Sequence, residues 1–217
     1  MERQSATLRR GLEVTLAVAL LATTGGAAAI QVYAQSAATP AGGFVNSQLT
    51  IAEGGLDADS IAFDNVTLHR VTQIARLAWW GEGLPLPAHG FTITFYRQKP
   101  TVREPAFSPE DDSGVVARRE VKRFKREAAG NNAFRFEAEL GEAVTLEGGQ
   151  PYWISIVGNM QGFAPWRWAA GADGDGRSFQ WRRGAAASYM NVKGDRAFVL
   201  YNAESPAHEG ASIKPAR

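Results

Sequence analysis

Polar and apolar residues alternate along much of this chain with a period of two. Phe134, Phe136, Ala138 and Leu140 fall on one side of an extended segment, and Arg135, Glu137 and Glu139 fall on the other. A strand with one dry and one wet face has this pattern, because successive side chains leave a pleated backbone in opposite directions. Phe91-Thr92-Ile93-Thr94-Phe95-Tyr96 repeats the alternation. Tyr152-Trp153-Ile154-Ser155-Ile156-Val157 is more continuously apolar and suits the middle of a sheet. Weaker patterns place further strands at 60–68, 73–80, 115–125, 166–169, 178–182 and 197–201, separated by Gly-Gly, Asp-Gly and Pro clusters. Between Ser47 and Asn202 no segment sustains a helical period. About nine short strands at this spacing predict an all-β domain, a two-sheet antiparallel β-sandwich of jelly-roll type. Phe134, Phe136, Ile154 and Ile156 are expected to point inward.

The N-terminus breaks the pattern. Arg3, Arg9 and Arg10 precede the mostly apolar stretch from Leu12 to Leu21, small residues follow from Ala22 to Ala29, and Val32-Tyr33-Ala34 offers a small-x-small cleavage site. That order predicts a signal peptide over 1–34 and a secreted, periplasmic or cell-surface protein. The competing reading is a retained anchor, since 14–33 approaches the roughly 20 residues a spanning helix needs; Thr23, Thr24, Gly25 and Gly26 dilute it. With the leader removed, no stable membrane span is expected. The Ala/Ser/Pro/Gly-rich segment 35–46 reads as a linker, 47–202 as the sandwich domain and 203–217 as a loose tail.

Charge then narrows the partners. The leader carries Arg3, Arg9 and Arg10 against Glu2 and Glu13, so of 23 basic and 22 acidic residues 20 of each remain. A balanced chain has no global field to draw it onto nucleic acid. With no Cys, disulfides, zinc-thiolate sites and thiol catalysis are excluded, and the fold must rest on its core.

Several of these segments occur in a familiar order. Trp79-Trp80-Gly81, Phe91 to Tyr96, Tyr152 to Ile156 after Gly148-Gly149, Trp166-Arg167-Trp168 and Ala197 to Leu200 together resemble a β-sandwich domain of secreted bacterial proteins whose role is unknown. The resemblance spans Asp59 to Asn202. It implies a sandwich and no activity. Members of that group often carry a C-terminal sorting tail, which this sequence is expected to lack.

Aromatic residues are the best candidates for recognition, because flat rings stack on sugar rings at little entropic cost. Trp80, Trp166, Trp168 and Trp181 are the candidate ligand-binding residues. If 166–169 and 178–182 pair across the intervening glycine-rich turn, Trp166, Trp168, Phe179 and Trp181 share one face. That face is either interior or a platform for polysaccharide. Arg167, Gln180 and Arg182 alternate with these rings and need water, which draws Trp168 inward; Trp166, near Gly162 and Pro165, is expected to be the more exposed.

Asp173 and Asp175, flanked by glycines, could hold calcium, although Asp-Gly is also an ordinary turn. Glu110-Asp111-Asp112 reads as a solvated loop. The basic run from Arg118 to Arg126 suits an edge strand blunted by charge, with an acidic polymer as the alternative. His69, His89 and His208 have no metal-ligand spacing, and Ser113 and Ser155 lack a G-x-S-x-G setting. The sequence therefore predicts no catalytic residue and no cofactor. It predicts a non-enzymatic binding or surface module whose partner is a polysaccharide or a cell-surface protein. The alternatives are a carbohydrate-binding module and, behind it, a glycan-active hydrolase built on two facing carboxylates.

Overall fold

The alternating strands assemble into two sheets. The computed structural model describes residues 29–38, 43–51, 59–130, 132–184 and 188–203. The first sheet holds β1 (Gln31–Gln35), β2 (Phe44–Asn46), β5 (Thr72–Glu82), β8 (Lys125–Gly130), β9 (Ala133–Leu146), β11 (Arg167–Gly171), β14 (Asp195–Arg196) and β15 (Phe198–Asn202). The second holds β3 (Gln48–Thr50), β4 (Ser60–Thr67), β6 (Phe91–Arg97), β7 (Val115–Val121), β10 (Pro151–Met160), β12 (Arg177–Arg182) and β13 (Ser188–Lys193). In the first sheet β9 pairs with β8 and β5, and β15 lies between β5 and β1. In the second the order is β13-β12-β4-β3-β10-β6-β7, with β4 also pairing β10. The protein is an all-β sandwich. Its pairings are antiparallel except for β3 beside β10, which run parallel.

Period two explains the interior. Phe136, Ala138 and Leu140 of β9 face Phe91, Ile93 and Phe95 of β6 and Ile154 and Ile156 of β10 across the gap between the sheets. Phe134 is only half-buried and packs at the margin of this core, under the Arg126 guanidinium. Trp79, Trp166 and Trp168 fill the same space. Both indoles of β11 and its approach are anchored: Trp166 Nε1 donates to Glu82 O at 3.0 Å, and Trp168 Nε1 donates to Ala197 O at 2.9 Å. Gly81 of β5 lies directly against the Trp166 ring, where a Cβ would overlap it. A single side chain at position 81 would therefore prevent β11 from closing on β5.

The continuous apolar run of β10 has a different cause. Trp153 and Val157 point away from the inter-sheet core, into a second cluster with Ile61, Phe63, Tyr96, Phe179 and Trp181 on the outer face of the second sheet. That sheet is covered on both sides, so its central strands have no wet face.

The segments at the two ends differ from the expectation. Gln35, expected as the first linker residue, ends β1, and Phe44–Asn46 within the same segment forms β2. β1 pairs with β15 from Gln31↔Tyr201 to Gln35↔Phe198, so a cut after Ala34 falls inside a paired strand. The expected leader residues 1–28 and tail residues 204–217 lie outside the described residues. Among the described residues no helix is long and apolar enough to cross a membrane.

The basic run spans two sheet edges. β7 is the last strand of the second sheet, the chain crosses over at 122–124, and β8 borders the first sheet. The single strand expected at 115–125 is thus two edge strands. Every residue of β8 is exposed, which fits the blunting role of charge at an unpaired edge.

Candidate binding cleft

The outer face of the second sheet carries a cleft beneath a long loop. The loop 98–114 leaves β6, folds back over that face and returns into β7. Its base is closed by Ala106 N donating to Arg97 O at 2.8 Å and Arg97 N donating to Gly114 O at 2.9 Å. Gly114 sits against the Ala106 carbonyl with no room for a Cβ. Phe107 is the loop's anchor. Its ring lies 5.0 Å from that of Phe63, 5.5 Å from Trp181 and 6.0 Å from Tyr96, in tilted and edge-on arrangements. Such geometries suit the ring quadrupoles.

Beside this anchor the face forms an open cleft of about 520 Å³, within the range of small-ligand sites. Its floor is Ile61, Tyr96, Val157 and Trp181, with the hydroxyls of Thr92, Thr94 and Ser155. Its rim carries Asp59, Glu110, Asp111, Asp112 and Glu120 against Arg118 and Arg183. The rim is therefore acidic in balance.

Its polar groups are held in place. Arg118 forms a two-pronged pair with Asp112, at 2.9 and 2.6 Å. Thr92 Oγ1 donates to Glu120 Oε1 at 2.9 Å, and Asn159 Nδ2 donates to Thr92 Oγ1 at 3.0 Å. Asp59 accepts from Thr50 N at 2.8 Å and lies 3.9 Å from Arg183. Burial pushes the Asp59 carboxyl above its usual range, against the opposing pull of the Thr50 hydrogen bond and the Arg183 charge. Burial likewise raises the Tyr96 hydroxyl.

The four candidate tryptophans separate. Trp166 and Trp168 are both 0% exposed in the inter-sheet core. The expected exposure of Trp166 is thus corrected: its indole is held by Glu82 and packed against Phe91 at 5.0 Å. The expected hairpin is corrected too. β11 pairs with β2, β5 and β14, whereas β12 pairs with β4 and β13 in the other sheet. The glycine-rich turn crosses between sheets instead of reversing within one. Trp168 and Trp181 consequently face different cores. Trp181, 7% exposed, borders the cleft. Trp80 is half-buried, with the Arg135 guanidinium 5.7 Å from its ring centre.

Asp173 and Asp175 are exposed in the crossing turn. Asp173 has a φ of 69°, and Asp175 Oδ1 accepts from Arg177 N at 3.0 Å, the hydrogen bond of an Asx-turn. Asp175 also approaches Arg103 at 3.8 Å. Among the described residues no three His, Cys, Asp or Glu side chains gather as a metal set. His69 and His89 lie apart in sequence and structure; His208 is outside the described residues.

A buried polar knot ties the crossing turn to the sandwich. Asp64 of β4 points inward, accepts from Asn65 N at 2.7 Å and from Arg196 N, and is fully buried. The Gln35 amide, oriented to satisfy its neighbours, donates to Arg196 O at 2.7 Å and Asp64 Oδ2 at 2.9 Å and accepts from Tyr33 Oη. Asp195 Oδ1 accepts from Gly176 N at 2.8 Å. Burial drives Asp64 well above the usual carboxylate range and lowers Arg196.

The sequence reasoning found Trp181 but missed Phe107, Tyr96, Asp59, Arg118, Glu120 and Arg183 as cleft residues. One signal was available: Phe107 is a lone aromatic ring in a polar loop between Pro105 and Pro109. Comparison with known proteins gives no further guide, since no family model and no curated protein matches the chain.

Proposed function

We propose that this chain is an exported, non-enzymatic binding module that takes a neutral carbohydrate in the cleft on the outer face of its second sheet. The cleft itself carries the reading. It combines an apolar floor edged by Trp181 and Tyr96 with hydroxyls, carboxylates and guanidiniums along its rim. Sugars need both parts: C–H faces for the apolar floor and hydroxyls for charged hydrogen-bonding groups. The acidic rim disfavours an anionic polysaccharide. Asp112 paired with Arg118, Glu120 bonded by Thr92 and Asp59 bonded by Thr50 are hydrogen-bonding groups held at fixed positions, which suits recognition of a ligand's hydroxyls. Export rests on the basic and apolar order of the leader.

A glycan array on the purified protein, followed by calorimetric titration of the best ligand, tests this. Arg118→Ala and Glu120→Gln each remove a charged hydrogen-bonding group, which should weaken binding about tenfold. Retention of no glycan, or binding unaffected by both variants, overturns the assignment.

A further inference from the structure

We propose that the leader is cut between Ala29 and Ile30, upstream of the Val32-Tyr33-Ala34 site. This rests on the export reading and adds the position of processing. Of the small-x-small sites up to Ala34, the last two are Ala27-Ala28-Ala29, upstream of β1, and Val32-Tyr33-Ala34, within it. A leader peptidase meets the chain unfolded and can hydrolyse after either one: water's hydroxyl goes to the carbonyl carbon released and its proton to the new amine. The folded products differ sharply.

A cut after Ala34 removes four of the five residues of β1. It abolishes the Gln31↔Tyr201, Tyr33↔Leu200 and Ala34↔Val199 pairings and uncovers one edge of β15. It removes the Tyr33 ring stacked on Phe198 at 5.4 Å, and with it Val32, both packed on the core. It also places the new α-ammonium on Gln35, whose side chain is 0% exposed within the Asp64–Arg196 knot. A charge brought into such a site is costly unless it finds a partner.

A cut before Ile30 removes none of these contacts. Ile30 is 62% exposed, so its new charge stays in water. Its nitrogen already donates to Asn202 Oδ1 at 2.8 Å, and Asn202 N donates back to Ile30 O at 3.0 Å. The strand therefore begins one residue after the first residue that the upstream site would leave.

The test is the intact mass and N-terminal peptide of the protein exported by a bacterial host expressing the full chain. The expected first residue is Ile30. Ala29→Leu should accumulate the uncut precursor, while Ala34→Leu should be processed like the parent. A mature chain beginning at Gln35, or at any position other than Ile30, overturns this inference and leaves export standing. So does a block by Ala34→Leu. A chain that keeps Met1 overturns the inference, and one that keeps Met1 and stays in the cytoplasm overturns the export reading as well.

Discussion

Phe107→Ala should detach the loop 98–114 from the sheet it covers. The ring is half-buried and touches Phe63, Tyr96 and Trp181 at centroid distances of 5.0, 6.0 and 5.5 Å. Truncating a fully buried Phe to Ala costs about 3–5 kcal/mol, and partial burial brings this to roughly 2–3 kcal/mol. At about 2–4 °C per kcal/mol for a domain of this size, the melting temperature should fall by roughly 5–10 °C. A second readout separates the local event from general weakening. Trp181 loses its cover, so acrylamide should quench it more readily well below the melting transition. Amides of the loop, including Ala106 N, should exchange faster while those of β9 keep their protection. A melting temperature within about 1 °C of the parent, with Trp181 quenching unchanged, would refute the anchoring role of Phe107.

Two further outcomes follow from burial and charge. Asp64 has a folded-state pKa raised well above 3.8 by burial, so the folded state holds its proton longer than the unfolded chain. The resulting contribution is complete below that value and is lost as pH rises through the folded pKa. The melting temperature of Asp64→Asn minus that of the parent should therefore increase with pH over this window, and a difference independent of pH would contradict the buried carboxyl. Trp80 is half-buried, whereas Trp79, Trp153, Trp166 and Trp168 are at most 1% exposed; Trp80→Phe should remove most of the acrylamide-quenchable emission, and persistence of that emission would place another indole at the surface.

The long strands were legible in the sequence because their two faces differ. β4, β5, β6, β9, β10 and β12 all fall on patterned segments, and Phe136, Ile154 and Ile156 point inward as alternation requires. Short strands such as β2, β3 and β14 were not legible, since two or three residues carry no period. β1 was hidden because it overlaps the expected leader, in which Ala34 reads as a cleavage residue. The sheet assignment of β11 and β12 was out of reach for another reason. A five-residue connection rich in Asp and Gly serves a hairpin or a crossing equally well, and the choice is made by Asp195 and the buried knot, distant in sequence. The cleft escaped for a related reason. Its floor looks like core, and the return of loop 98–114 over β4, β6 and β12 helps turn an outer sheet face into a second apolar layer.

The place of β15 bears on when the protein can fold. It lies between β5, formed from residues 72–82, and β1, formed from residues 31–35, so the first and last strands of the described chain are neighbours. The first sheet cannot join β1 to β5 until the residues near 200 are available. A ribosome must therefore release most of the chain before this sheet can close, and pairings of such long sequence separation form slowly. For a polypeptide threaded through an export pore, late closure is an advantage. Under the proposed export, this order of strands would delay a compact state that obstructs passage until the chain had crossed.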